Sequence, residues 1–212
     1  MTLAQTERLA LCDAALAAGP DAPTLDDGWT VADLIAHLHV RESDPIGAVG
    51  IVVPPLADMT RRHMDAALQK HGFEGLVVLV RNGPGRWSPM SIPGVDAKAN
   101  GTEMFIHHED IRRGGEVVPA PRELGRSVED ELWGSAGMAK LVFRSSPVGV
   151  VLERSDVPGA EIRAKGGSST VTLVGKPSEL TLYMSGRREA ADVRVVGEPD
   201  AVATFESVRV GM

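Results

Sequence analysis

One cysteine in 212 residues, Cys12, excludes an internal disulfide and every zinc pattern built on paired thiolates. Any metal site in this chain must come from His, Asp and Glu. A cationic surplus is also missing. Lys and Arg number 22 against 29 Asp and Glu, a formal charge of -7, which argues against nucleic acid or an anionic membrane surface as a partner. No apolar run is long enough to span a bilayer. The longest, Ile46 to Ala57, is broken by Pro54-Pro55 and falls well short of the roughly 20 helical residues a span requires. The start, Met1 to Arg8, has no basic stretch leading into an apolar one, so the expected compartment is the reduced cytoplasm. Internal repeats and low-complexity tracts are lacking too. What remains is average for a soluble globular chain, 43% hydrophobic and 24% charged, and the length fits one ordinary domain or two small ones.

The first half reads as helical. Leu3, Leu9, Cys12 and Leu16 recur near helical spacing until Gly19-Pro20 stops the run. Thr30 is an N-cap with Asp33 three residues on, a carboxylate variant of the capping box. Val31, Leu34, Ile35 and Leu38 then form one apolar stripe until Ser43-Asp44-Pro45. Asp58 to Lys70 is expected as a third helix with Met59, Ala67 and Leu68 inward. Leu76 to Val80 suits a buried strand or helix equally by periodicity, and helix is preferred because no partner strand lies nearby. Asn82 to Pro93 is expected as a long loop, and Asp96 to Arg113 as a fourth helix closed by Gly114-Gly115.

After Pro119 and Pro121 the texture changes. Glu123 to Phe143 is a helix-like connection. Short β-rich runs follow at Val148–Glu153, Glu161–Ala164, Thr170–Val174 and Val193–Val196, with helices at Pro177–Met184 and Pro199–Glu206. Helices first and a mixed sheet later make this an α+β chain, divided into residues 1–120 and 121–212.

Six histidines occur, and the informative segment is Glu103 to Asp110. Glu103 and His107 are four apart and project from one helix face, where they can hold one ion or simply pair as exposed neighbours. Asp110 follows within reach of the His107 imidazole as an outer acceptor. His37 lies beside the Leu34 and Leu38 stripe, so its ring is either a hydrogen-bonded core group or a ligand. Asp33, one turn earlier, could hold its far nitrogen. Facing helices of a bundle bring such residues together. Two imidazoles and one carboxylate with open positions make the layout of catalytic zinc and non-haem Fe(II) sites. His39, His63, His71 and His108 are expected to be surface or structural, with His108 at solvent or at an interhelical contact. Cys12 is expected to be a buried, inert thiol. Arg81, Arg86 and Arg187 could meet an anionic substrate, although surface positions explain each.

Gly28-Trp29-Thr30-Val31-Ala32-Asp33-Leu34-Ile35-Ala36-His37-Leu38 together with Glu103-x-x-x-His107-His108-Glu109-Asp110 resembles the mycothiol-dependent maleylpyruvate isomerase family, within the DinB-like metal-binding superfamily. The carboxyl part is similar as well, in Val174 to Leu180, in Ser185-Gly186-Arg187 and in Val195 to Glu198. The resemblance implies a DinB-like four-helix bundle followed by a small α+β, sterol-carrier-like domain. It implies zinc on His37, Glu103 and His107, with Asp110 at the family's trailing acid. It also implies mycothiol as the thiol co-substrate, and Arg187 as an anion contact from the second domain.

These observations lead to one expected function with two rivals. The expectation is an enzyme whose metal activates a thiol to attack a small electrophile, giving S-transfer, conjugation or thiol-assisted isomerisation. The first rival is a zinc-hydroxide hydrolase of a small amide or ester, with Glu109 or Asp110 as base. The second is a non-catalytic metal- or ligand-binding module. Oligomeric state is not encoded in any of these features.

Overall fold

The structure is a computed structural model of the chain and describes residues 1–85 and 95–208. It divides into two compact units, Met1–Pro119 and Ala120–Met212, each with its own apolar core. The expected loop therefore lies outside the described residues from Arg86 onward, as do Arg86 and Trp87 themselves.

The first unit is built on four longer helices, α1 (Leu3–Ala18), α2 (Val31–Ser43), α4 (Ala57–Asn82) and α5 (Val95–Arg113), with a short α3 (Val49–Val52) between the second and third of them. Helix α1 packs on α5 and α4, and α2 packs on α4. Thr2 opens α1 and Thr30 opens α2, each through a reciprocal capping box, with Gln5 and Asp33 as the returning side chains. Gly19 and Gly83 close α1 and α4 at positive φ.

Two expectations change here. The segments Asp58–Lys70 and Leu76–Val80 belong to one helix, kinked at Gly72 (φ +66). The stripe of α1 is also rotated. Leu9 and Leu16 are exposed, while the inner face is Leu3, Ala4, Glu7, Arg8, Leu11, Cys12 and Ala15. Two charged residues break the apolar pattern because each meets a buried partner. The Arg8 guanidinium grips Glu42 at 2.5 and 2.7 Å, and the Glu7 carboxylate lies 2.8 Å from Nδ1 of His108. The stripe of α2 holds as expected, with Val31, Leu34, Ile35 and Leu38 fully buried.

The second unit places helices α6 (Arg126–Ser135), α7 (Ala139–Val142), α8 (Pro177–Met184) and α9 (Pro199–Glu206) with a four-stranded sheet. The strands are β1 (Gly149–Arg154), β2 (Glu161–Lys165), β3 (Thr170–Gly175) and β4 (Arg194–Gly197), in the order β2-β1-β3-β4. Strand β1 is central, antiparallel to β2 and parallel to β3, with Leu152 opposite Leu173. Strand β4 is an antiparallel edge on β3. Alternation along β3 buries Val171, Leu173 and Gly175, whereas β1 is buried almost throughout, as a central strand should be. The fold class is α+β, as read from the sequence.

Candidate metal centre

Two helices carry the candidate ligands. His37 projects from the middle of α2, and Glu103 and His107 lie one turn apart on α5. Each offers one ligand atom, and these atoms all lie within 4.8 Å of one another. The two imidazoles meet edge to face with ring centroids 5.3 Å apart. Both histidines are buried, while the Glu103 side chain is 36% exposed and forms the open edge of the trio.

The orientation of His107 is set from behind. Nδ1 lies 2.9 Å from Oδ2 of Asp110, which is fully buried, so Nε2 is the nitrogen turned toward Glu103, at 3.5 Å. A carboxylate on the far nitrogen is the usual outer partner of a metal-binding imidazole. Burial works against charge on His107, but Asp110 and Glu103 more than offset it and raise the imidazole to about 9. Burial likewise pushes the Glu103 carboxyl up. The hydrogen bond and charge of His107, with Arg41 and His37, overcome that and bring it down to about 2. A metal bound here would compete with the proton on His107, since a ligand imidazole must be neutral.

Other sequence-derived candidates fall into place by contact. Asp110 stands behind His107 as expected. Asp33 does not stand behind His37, because its Oδ2 accepts from the Thr30 N–H at 2.9 Å and the Thr30 hydroxyl at 2.6 Å, closing the cap of α2. Trp29 instead flanks His37, with ring centroids 5.1 Å apart. Glu109 is no spare base, since Arg112 binds it at 2.8 Å and Arg113 at 2.5 Å in a buried cluster. His108 is an interhelical contact rather than a solvent group. His39 and His71 face each other at 5.8 Å, and His63 pairs with Asp44 at 2.5 Å. Arg81 pairs with Asp13 at the surface. Arg187, in the second unit, is half-buried and donates to the Ser185 carbonyl at 2.6 Å.

Two residues near the trio carry no clear mark in the sequence. Arg41 lies one turn beyond His37, 3.5 Å from Glu103, and donates to the buried Asn100 amide oxygen at 2.6 Å. Its i,i+4 spacing from His37 is the only local signal. Asp26 groups with His107 and Asp110, their ligand atoms within 4.8 Å of one another. No periodic pattern marks a loop acid of this kind.

Residues 2–86 match the family model described as the mycothiol maleylpyruvate isomerase N-terminal domain. A solved structure titled as the mycothiol-dependent maleylpyruvate isomerase shares 19% identity and superposes with a TM-score of 0.55, over 92% of this chain and 91% of that one. A histidine-to-alanine mutant of that isomerase aligns at 15% identity with a TM-score of 0.48, over the same shares of the two chains. A comparison with curated protein sequences found no match. The likeness to the first structure extends the common fold beyond the matched domain into the α+β unit. Among the described residues, no helix is long and apolar enough to cross a membrane.

Proposed function

We propose that this chain is a metal-dependent enzyme in which a low-molecular-weight thiol, mycothiol, attacks a small electrophile in S-transfer or thiol-assisted isomerisation. The convergence of His37, Glu103 and His107, from two helices, carries this reading. Two imidazoles and a carboxylate suit zinc with open positions left over. A divalent cation there would lower the pKa of a thiol bound to it, so that thiolate exists at neutral pH.

The chain's own residues do the positioning. Asp110 fixes the His107 ring so that Nε2 faces Glu103, and Trp29 packs against His37. Glu103, half-exposed, marks the side from which reactants enter. The protein supplies no thiolate of its own. Cys12 is fully buried and its thiol is pushed up by that burial to about 11. The nucleophile must therefore arrive as a co-substrate, and the domain match on residues 2–86 favours mycothiol. The cytoplasm, where such a thiol stays reduced, is the proposed setting. The hydrolytic alternative loses the two bases suggested for it, because Glu109 and Asp110 are both buried and engaged.

The test is turnover by the zinc-loaded protein with maleylpyruvate as the first electrophile, with and without mycothiol. Turnover that needs the thiol and disappears in His37→Ala is expected. Turnover that proceeds equally well without any thiol contradicts the proposal.

A further inference from the structure

The two imidazoles come from different helices, yet one loop braces both. Residues 19–30, ahead of α2, send Trp29 onto His37 and Asp26 toward His107 and Asp110. The loop is fixed by its backbone. Thr24 Oγ1 donates to the carbonyls of Asp26 and Trp29 at 3.3 and 3.0 Å, and the Trp29 N–H donates to the Asp26 carbonyl at 3.0 Å. The Leu25 N–H then ties the loop to α5 through the Asp110 carbonyl, at 3.1 Å. Gly114 makes room for this docking, since a Cβ there would meet the Pro23 carbonyl oxygen at 2.4 Å.

The charges around the site suggest why an acid is there. Ligand imidazoles must be neutral. Glu103, Asp110 and Asp26 then bring three negative charges, and Arg41, beside Glu103, brings one positive charge. Among these described residues the surplus is two negative charges, which a divalent cation would offset. Asp26, Asp110 and His107 do not form a separate ion site, because Asp110 is fully buried and its Oδ2 is already engaged with Nδ1 of His107 at 2.9 Å.

We propose that Asp26 is a positioning residue for the metal: with Asp110 it sets two carboxylates beside His107, adding negative charge that favours a divalent ion. This rests on His107 being a ligand, as in the proposed function, but not on the thiol chemistry.

The test is zinc affinity, measured by competition with a chromophoric chelator, for the wild type, Asp26→Asn, Asp26→Glu and Asp110→Asn. The visible spectrum of the cobalt(II)-loaded proteins and the melting temperature of the metal-free proteins accompany it. Asp26→Asn removes the charge at nearly unchanged side-chain size. It is expected to bind zinc about tenfold more weakly, the lower end of what losing an outer partner costs. Its cobalt spectrum should shift while its metal-free melting temperature stays at the wild-type value. Asp26→Glu should recover most of the affinity, and Asp110→Asn should lose at least as much as Asp26→Asn. Zinc affinity within twofold of wild type in Asp26→Asn overturns the proposal. So does a fall in metal-free melting temperature shared by the Asn and Glu variants, which would make Asp26 a packing residue. No uptake by the wild type would instead remove the ligand set itself, a result distinct from either.

Discussion

His107 and His108 are chain neighbours, both buried, and each has Nδ1 close to a buried carboxylate, at 2.9 Å to Asp110 and 2.8 Å to Glu7. Burial and a carboxylate partner therefore do not distinguish a candidate ligand from a structural histidine. What differs is the surroundings. The far nitrogen of His107 faces Glu103, the most exposed of the trio, so its donors converge with that of His37. His108, by contrast, joins α5 to α1. Around it, Arg8 pairs with Glu42, and Glu109 pairs with Arg112 and Arg113. One face of α5 gathers donors; the other cancels charges.

The largest expected contrast is in metal retention. His107→Ala should abolish it with helical content preserved, whereas His108→Ala should retain metal at wild-type stoichiometry, as read by elemental analysis beside circular dichroism. Equal retention in the two variants would erase the distinction.

Stability should reverse the order. Arg8→Met leaves Glu42 buried without its main cation and should cost about 3–5 kcal/mol in denaturant unfolding. His108→Ala strips Glu7 of its imidazole and should cost about 1–3 kcal/mol. A loss below about 0.5 kcal/mol in Arg8→Met, the scale of an ordinary surface substitution, would show that this network is not structural.

The smallest expected effect is a pH dependence at Cys12. Its thiol is raised from 9.0 to about 11, chiefly by burial. The protonated thiol is thus favoured in the fold. Its stability contribution is complete below pH 9.0 and is lost as pH rises toward 11, because the unfolded thiol ionises first. At pH 8 a disulfide reagent should label Cys12 only after unfolding. Rapid labelling of the folded protein would refute the buried-thiol account.

Much of this organisation is legible in the amino-acid sequence. The cap at Thr30, the stripe of α2, the spacing of Glu103, His107 and Asp110, and the change of texture after Pro119 all rest on local chemistry that a sequence displays. The inner face of α1 is not legible, because Glu7 and Arg8 occupy core positions that only distant partners, His108 and Glu42, make tolerable. Asp33 misleads for a related reason: one carboxylate suits two roles, and the nearby cap takes it. Asp26 and Arg41 are hidden because one sits in a loop without periodicity and the other's partners, Glu103 and Asn100, lie on a helix far along the chain.

Metal content measured by elemental mass spectrometry tests the central claim most directly, on the wild type and on His37→Ala, Glu103→Ala and His108→Ala purified without chelator. The account predicts about one zinc per chain in the wild type and in His108→Ala, and none in the other two, with all four folded. Zinc retained at the wild-type level in His37→Ala or Glu103→Ala, or no zinc taken up by the wild type even when it is supplied, would contradict it.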